Sequence, residues 1–317
     1  MQPHEILHPN FLKYFEAGQN RECLLYEIQH QVMKFSQSFL DTDYQLQLEC
    51  DSAWGKIERI SSLDVEFHKI DIRDFDQLRN ILKNSDGIFH EAALTDVQES
   101  FTKQQEYIDV NVKGTENIFK IAKEFDLKVV YASSSSVYGN PKKNPINENS
   151  ERNPINPYGK TKLDDEFLAE KYSKYNVSII GLRYFNVYGK DQTGSYAGVI
   201  TKFLNRLNEK KSPIIFGTGS QIRDFIYVED VAIANIVAMQ SNIKNGFFNI
   251  GTGITTSIEQ LAKIMIRNFD EKFEPIFQDS LEGDVKMSLA DITLTKKMIK
   301  WESEIELEEG LRKLICE

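Results

Sequence analysis

From its second quarter onward the chain alternates short apolar runs with longer stretches of helical spacing. Val65–Asp71 (VEFHKID) switches between apolar and polar residues with period two and predicts a strand, followed by a helix over Phe75–Leu82. Gly87–His90 is a short apolar run that reads as a buried strand. Asn111–Phe125 has helical spacing, with Val112, Ile118, Phe119 and Ala122 on its inner side, and Lys128–Ser133 is the next strand. An Asn- and Pro-rich loop over Asn140–Asn156 leads to a long helical pattern over Tyr158–Tyr175, and Val177–Arg183 is again a strand. Further on come a helix (Val199–Lys211), a strand (Pro213–Phe216) and a strand opened by Arg223–Asp224. A helix (Val231–Ser241), a strand (Phe247–Ile250) and a helix (Ser257–Phe269) follow. Nearly continuous apolar strands alternating with helices imply an α/β fold, a doubly wound parallel sheet covered on both faces. The final third breaks that rhythm and predicts a smaller C-terminal domain.

Residues 1–54 do not share the pattern. Arg21–Leu40 could form an amphipathic helix, and Tyr44–Cys50 (YQLQLEC) alternates as a strand would before Asp51. The segment holds a single glycine, Gly18. The chain therefore divides into an atypical N-terminal segment (1–54), a regularly alternating part (55–183) and a less regular part (184–317). About 224–250 of the last part return to the parallel-sheet unit. No linker long enough to separate independent domains is present.

Composition narrows the class. At 317 residues, 41% hydrophobic and 27% charged, the chain can bury a sizeable core as a soluble globular protein. A net charge of −10 argues against a protein that tracks nucleic-acid phosphates. No run is apolar for the 18 or so residues of a membrane span, and no signal peptide opens the chain. Three scattered cysteines, Cys23, Cys50 and Cys316, suggest neither a disulfide framework nor a metal cluster. A cytoplasmic protein is expected.

The chemistry is concentrated between Tyr131 and Lys162. The strand at Val129–Ala132 runs into four serines, Ser133–Ser136, at the carboxyl end where ligands of parallel sheets bind. Tyr158 and Lys162 then stand four apart on one helix face. The lysine ammonium favours the phenolate, drawing the tyrosine down from about 10 towards working pH. With a serine hydroxyl from the strand end, the pair can move a proton on or off an alcohol while a hydride leaves the carbon beneath. His90 is titratable, but a packed strand-end histidine is the better reading.

From Gly55 to the C-terminus the chain resembles the extended short-chain dehydrogenase/reductase family, in its nucleotide-sugar epimerase/dehydratase group. Nine blocks stand in family order: DIRD (Asp71–Asp74), FHEAAL (Phe89–Leu94), NVKGT (Asn111–Thr115), ASSSSVYG, NPYGKTK, LRYFNVYG (Leu182–Gly189), RDFIYVEDV (Arg223–Val231), FNIGTG (Phe248–Gly253) and EGDV (Glu282–Val285). The resemblance implies a Rossmann-like fold and an NAD-dependent 4-epimerase of a UDP-hexose, working through a 4-keto sugar. Catalysis would fall to Ser134, Tyr158 and Lys162. The cofactor would lie against Asp71, Ile72, Ala92, Ala93, Leu94, Asn111 and Tyr184 as well as Tyr158 and Lys162. The UDP-sugar would be held by Ser134, Asn186, Phe216, Arg223, Asp284 and Ser288. A small residue at Ser288 would leave room for an N-acetyl group. The family habit of pairing two helices per subunit implies a homodimer through Asn111–Phe125 and Tyr158–Tyr175.

Two features select within the group and two depart from it. In 4,6-dehydratases an Asp-Glu pair follows the catalytic Ser/Thr; here Ser135 and Ser136 stand there, which disfavours dehydration. The decarboxylases usually carry Glu at the second of these positions and are disfavoured too. Leu281 occupies the place of a second diphosphate-binding arginine, and no G-x-x-G-x-x-G turn precedes residue 55. Such a turn lets the backbone approach a pyrophosphate, so weak NAD binding is expected. Another NAD(P)-dependent nucleotide-sugar reductase or epimerase, and a catalytically silent sugar-nucleotide-binding or scaffold protein, remain alternatives.

Overall fold

The computed structural model of the chain describes residues 47–48, 66–68, 70–190, 198–269, 272–280 and 285–316. Two short strands come first, Gln47–Leu48 (β1) and Glu66–Phe67 (β2), paired in parallel. Tyr44–Cys50 thus contributes a strand, and among the described residues of Val65–Asp71 the strand comprises the second and third. Gly18, the helix expected over Arg21–Leu40 and Asp51 lie outside the described residues.

Helix α1 spans Phe75–Leu82 and strand β3 Gly87–His90, both as their periodicities predict. Asp74 caps α1 by accepting the Gln77 N–H. Next come α2 (Val97–Thr102), α3 (Gln104–Tyr107), a π-helical turn (Ile108–Gly114), α4 (Thr115–Phe125) and β4 (Lys128–Ser134). A 3-10 turn (Ser135–Tyr138) ends β4, and α5 (Pro157–Ser173), β5 (Ile179–Tyr184) and β6 (Asn186–Tyr188) follow. The chain continues through α6 (Val199–Asn208), β7 (Ile214–Phe216), β8 (Ile222–Arg223), β9 (Phe225–Tyr227), α7 (Val228–Gln240) and β10 (Asn245–Ile250). It closes with β11 (Thr256–Ser257), α8 (Ile258–Asn268), β12 (Ile276–Gln278), β13 (Met287–Ser288), α9 (Thr293–Met298) and α10 (Leu307–Cys316).

Strands β10, β5, β4 and β3 form one parallel sheet in that order. Its residues alternate between two cores. Val129 and Tyr131 of β4 pack with Leu78 of α1, Phe119 of α4 and Tyr172 of α5. Val130 and Ala132 point the other way and pack with Val231 and Ala234 of α7. Each buried branched side chain is worth roughly 1.5–3 kcal/mol, so register is fixed on both faces. The Lys128 ammonium donates to the carbonyls of Ala238, Met239 and Ser241, a cation at the negative end of α7. The smaller part is built from β8 between β11 and β13, with β7–β12 and β6–β9 as separate pairs.

Two boundaries bear on the site and differ from expectation. The stretch expected as one helix from Asn111 opens as a π-helical turn, because the Asn111 side chain is drawn inward: it accepts the Leu94 N–H and donates to the Leu94 carbonyl and the Thr161 hydroxyl. Val112 is consequently only half-buried. Helix α7 starts at Val228 rather than Val231, with Glu229 and Asp230 in its first turn where acids suit the helix dipole.

Candidate active site

The carboxyl end of β4 and the start of α5 bring the reactive side chains together. Asn156 caps α5 by accepting the Gly159 N–H at 2.7 Å, and Pro157 opens the helix, so Tyr158 enters in its first turn. The Tyr158 N–H donates to the Ser100 hydroxyl at 3.2 Å. One turn later, buried Lys162 donates from Nζ to the Ala132 carbonyl at 2.9 Å. Ser134 ends β4 in extended backbone, and its Oγ accepts from the N–H and the hydroxyl of Ser136, at 3.1 and 2.9 Å. Ser134, Tyr158 and Lys162 line one cavity of about 320 Å³, with Tyr184, Asn186 and Val199 among its other walls.

A buried ion pair holds this geometry. Arg183 of β5 meets Glu166 of α5 in a bidentate pair, Nε to Oε1 at 2.7 Å and Nη2 to Oε2 at 2.8 Å. Glu166 also accepts from the Ser133 hydroxyl and from Arg152, and Arg183 Nη1 donates to the Tyr138 hydroxyl. The network ties the residue before Ser134, the turn after it, and the helix that carries Tyr158. The VYG turn depends on Gly139, whose φ is +61° and where a Cβ would come within 2.0 Å of the Asn153 carbonyl oxygen.

Two further titratable groups sit at the strand ends. Glu91 is fully buried, accepts from the Tyr184 hydroxyl at 2.9 and 3.1 Å, and burial pushes its carboxyl up to about 8. Asn235 donates in turn to that hydroxyl at 2.7 Å. His90 lies 2.8 Å from the Thr115 hydroxyl, and burial lowers it to about 3, a neutral packed histidine as the sequence suggests.

The residues expected along the cofactor are distributed unevenly. Ala92, Ala93 and Leu94 form a buried segment after β3, held by Asn111, whose side chain is engaged by Leu94 and Thr161. Asp71 is paired with Arg73. Ile72 is fully buried in the core, and a Cβ on Gly114 would strike its side chain at 2.4 Å, so only its backbone could meet a ligand. Thr95, Val97 and Ala132 give the reactive cavity small or apolar walls beside Tyr158 and Lys162, which fits the nicotinamide end of NAD against the sheet. The segment after β1, where a turn for the pyrophosphate would be sought, lies outside the described residues.

A second cavity of about 470 Å³ shares Asn186 and Val199 with the first. Phe216 and Arg223 line it as expected, with Gln221 between them in sequence. Lys202 and Arg206, four apart on α6, line it as well, and its described walls include no carboxylate. Ser288 is buried and pairs beside Arg223 in the β8–β13 register, but it is a wall of neither cavity. Asp284 and Leu281 lie outside the described residues. Sequence reasoning missed Glu91, Asp165, Glu166, Arg183, Lys202 and Arg206. The signals were charges set among apolar positions in FHEAAL, LDDEF and GLRY, and the four-residue spacing of the two cations on α6.

A model of the NAD dependent epimerase/dehydratase family matches residues 45–251. The UDP-glucuronate 4-epimerase of Thermodesulfobacterium geofontis is 34% identical over 268 residues, 83% of this chain and 82% of that protein. The crystal structure of the UDP-glucose 4-epimerase of Thermotoga maritima with UDP-glucose superposes with a TM-score of 0.87 at 29% identity, covering 96% of this chain and 97% of that one. A UDP-N-acetylglucosamine 4-epimerase from Methanobrevibacter ruminantium M1, in complex with UDP-N-acetylmuramic acid, gives the same TM-score and identity over 98% of each chain.

Proposed function

We propose that this chain, which belongs to the NAD dependent epimerase/dehydratase family, inverts C4 of a UDP-hexose through a transient 4-keto sugar. The observation that carries the reading is the convergence of Ser134, Tyr158 and Lys162 on a cavity that adjoins a cationic one across Asn186. Tyr158 takes the proton of the C4 hydroxyl, and the Ser134 hydroxyl hydrogen-bonds the same oxygen. Lys162, fixed on the Ala132 carbonyl, holds positive charge beside the phenol. NAD, when bound, supplies the reversible hydride acceptor for the hydrogen of C4. After the keto sugar turns over, Tyr158 returns its proton to the carbonyl oxygen as hydride re-enters from the other face. Ser135 and Ser136 offer no carboxyl for elimination.

In the second cavity Arg223 faces the diphosphate, with Lys202 and Arg206 as further cations, and Phe216 offers its ring to the uracil. Asn186 spans both chambers and suits the sugar–phosphate junction. Asp284 is assigned to the ribose. Ser288, which lines neither cavity, is given no part in the choice of sugar. Residues 1–54 contain no glycine pair, so NAD is expected to be held weakly. That feature also supports a second reading, a sugar-nucleotide-binding protein with little turnover. Exposed Phe167 and Tyr175 on and after α5 support the homodimer expected through this region, with α4 and α5 as the pairing helices. Among the described residues no helix is long and apolar enough to cross a membrane, and a cytoplasmic site of action is the matching proposal.

The test is to incubate the protein with UDP-glucose and added NAD and follow the C4 epimer by proton NMR. Appearance of the epimer without net reduction of NAD supports the proposal. UDP binding with no epimer at saturating NAD selects the second reading.

A further inference from the structure

Beneath the catalytic pair lies a carboxylate that the proposed steps do not use. Asp165 follows Lys162 by three residues on α5 and is fully buried. Its Oδ2 is 3.8 Å from Lys162 Nζ, neither oxygen has a close hydrogen-bond partner among the described residues, and the Thr115 hydroxyl is its nearest donor of any kind besides that ammonium. Two other buried polar atoms near this spot are equally unpartnered, His90 Nδ1 and the Tyr131 hydroxyl. The groups that face Asp165 are Lys162, Asp164 and Glu166 of its own helix, Thr115 of α4 and Tyr131 of β4, with His90 of β3 against the Thr115 hydroxyl. Lys162 is the only cation among them, and it also feels Glu91. Burial pushes the Asp165 carboxyl well up, and Lys162 is the leading influence opposing that. A buried carboxylate with the Thr115 hydroxyl as its one weak hydrogen-bond donor is costly to a fold, so packing does not account for an acid here. The ammonium does: it is held by one carbonyl on the strand side, and Asp165 is the opposing charge on the helix side.

We infer that Asp165 is a positioning residue: it is the counter-charge that fixes the Lys162 ammonium against the Ala132 carbonyl and sets the pH at which Tyr158 exchanges its proton. This rests on the proposed roles of Tyr158 and Lys162. A negative charge raises the pH at which every neighbouring group gives up its proton, so removing it moves all of them the same way. Asp165→Asn keeps the shape and deletes the charge. Asp165 stands seven residues after Tyr158 on α5, about 10 Å at the helical rise, and with an effective dielectric of about 40 the move is about half a pH unit towards acid.

Two readouts separate this from a merely structural role. The first is the pH profile of kcat and of kcat/KM with NAD and UDP-glucose, where both limbs should move to lower pH while KM is unchanged. The second needs no turnover: the phenolate absorbance difference between the chain and its Tyr158→Phe variant, titrated with and without Asp165→Asn, should shift by the same amount. A loss of kcat or thermal stability with no shift in either titration, or a shift towards alkaline pH, overturns the inference. A shifted phenolate titration with no epimer formed sinks the epimerase reading and leaves the Asp165–Lys162 coupling standing. Should Asp165→Asn fail to fold, the carboxyl 13C signal of Asp165 in the unaltered protein decides. An ionised signal at pH 7 is expected, and a protonated one overturns the inference.

Discussion

Tyr158 is the residue on which the proposed chemistry turns, and Phe replaces it with the loss of one oxygen. Tyr158→Phe should lower kcat by about 10²–10⁴, the usual cost of removing a positioned acid/base group. Binding of the UDP-sugar, measured by calorimetry, should be nearly unchanged, since the cationic cavity lies across Asn186. Wild-type turnover in the variant would remove Tyr158 from its role. Glu91 makes a different kind of prediction, because its burial couples stability to pH. Its carboxyl is near 8 in the folded chain against 4.5 when unperturbed. Between those values the folded protein keeps a proton that the unfolded chain has released, so stability falls as pH rises from about 4.5 to about 8. The whole window amounts to on the order of 4 kcal/mol. Glu91→Gln should flatten that slope in denaturant titrations while keeping the partner of the Tyr184 hydroxyl. An unchanged slope would mean that Glu91 is ionised in the fold.

At the scale of elements, α5 is held to the sheet by Glu166 and Arg183, and both are almost completely inaccessible. Breaking such a pair strands one charge in the core. Arg183→Met should therefore destabilise the protein by about 3–5 kcal/mol in urea unfolding, whereas Arg183→Met combined with Glu166→Leu should recover much of the loss. A single variant as stable as the parent would show that water reaches the pair. This clamp also marks where sequence stops being informative. The bounds of α1 and β3 follow from period alone, and Tyr158, Lys162 and Ser134 could be placed together because each lies at a predicted element end. Asp165 and Glu166 could not, since LDDEF on a helix reads as a solvated face until β5 is laid against it with Arg183 in register with Ser133. The π-helical turn was hidden for a similar reason: it is made by Asn111 bonding to Leu94 and to Thr161, partners 17 and 50 residues away. Lys202 and Arg206 gain meaning only when β7 and β8 close the cavity opposite α6. Local periodicity specifies elements, and the long-range charge pairs that aim them are not local.

The whole molecule carries a net charge of −10, yet the described walls of its second cavity hold Lys202, Arg206 and Arg223 with no acid. That contrast fits a diphosphate, and Arg223→Ala should weaken UDP binding by about 1.5–3 kcal/mol in calorimetry, the scale of a hydrogen bond to a charged group. Equal affinity would place the nucleotide elsewhere. The other end of the molecule is the reverse case. Small or apolar walls beside Tyr158 and Lys162 suit a nicotinamide, but a pyrophosphate needs backbone N–H groups at close range, and glycine is the residue that allows that approach. The family match begins at residue 45, and the only glycine before it is Gly18. Two ends of NAD could then be gripped while its middle is not, and affinity should suffer more than chemistry. We expect the purified protein to carry far less than one NAD per chain, read from the absorbance of the nucleotide released on denaturation. We also expect epimer formation to depend on NAD added to the assay. Replacing residues 1–54 with a strand–turn–helix bearing G-x-x-G-x-x-G should make the cofactor co-purify and abolish that dependence. Stoichiometric NAD in the unaltered protein would show that its pyrophosphate is held without a glycine turn.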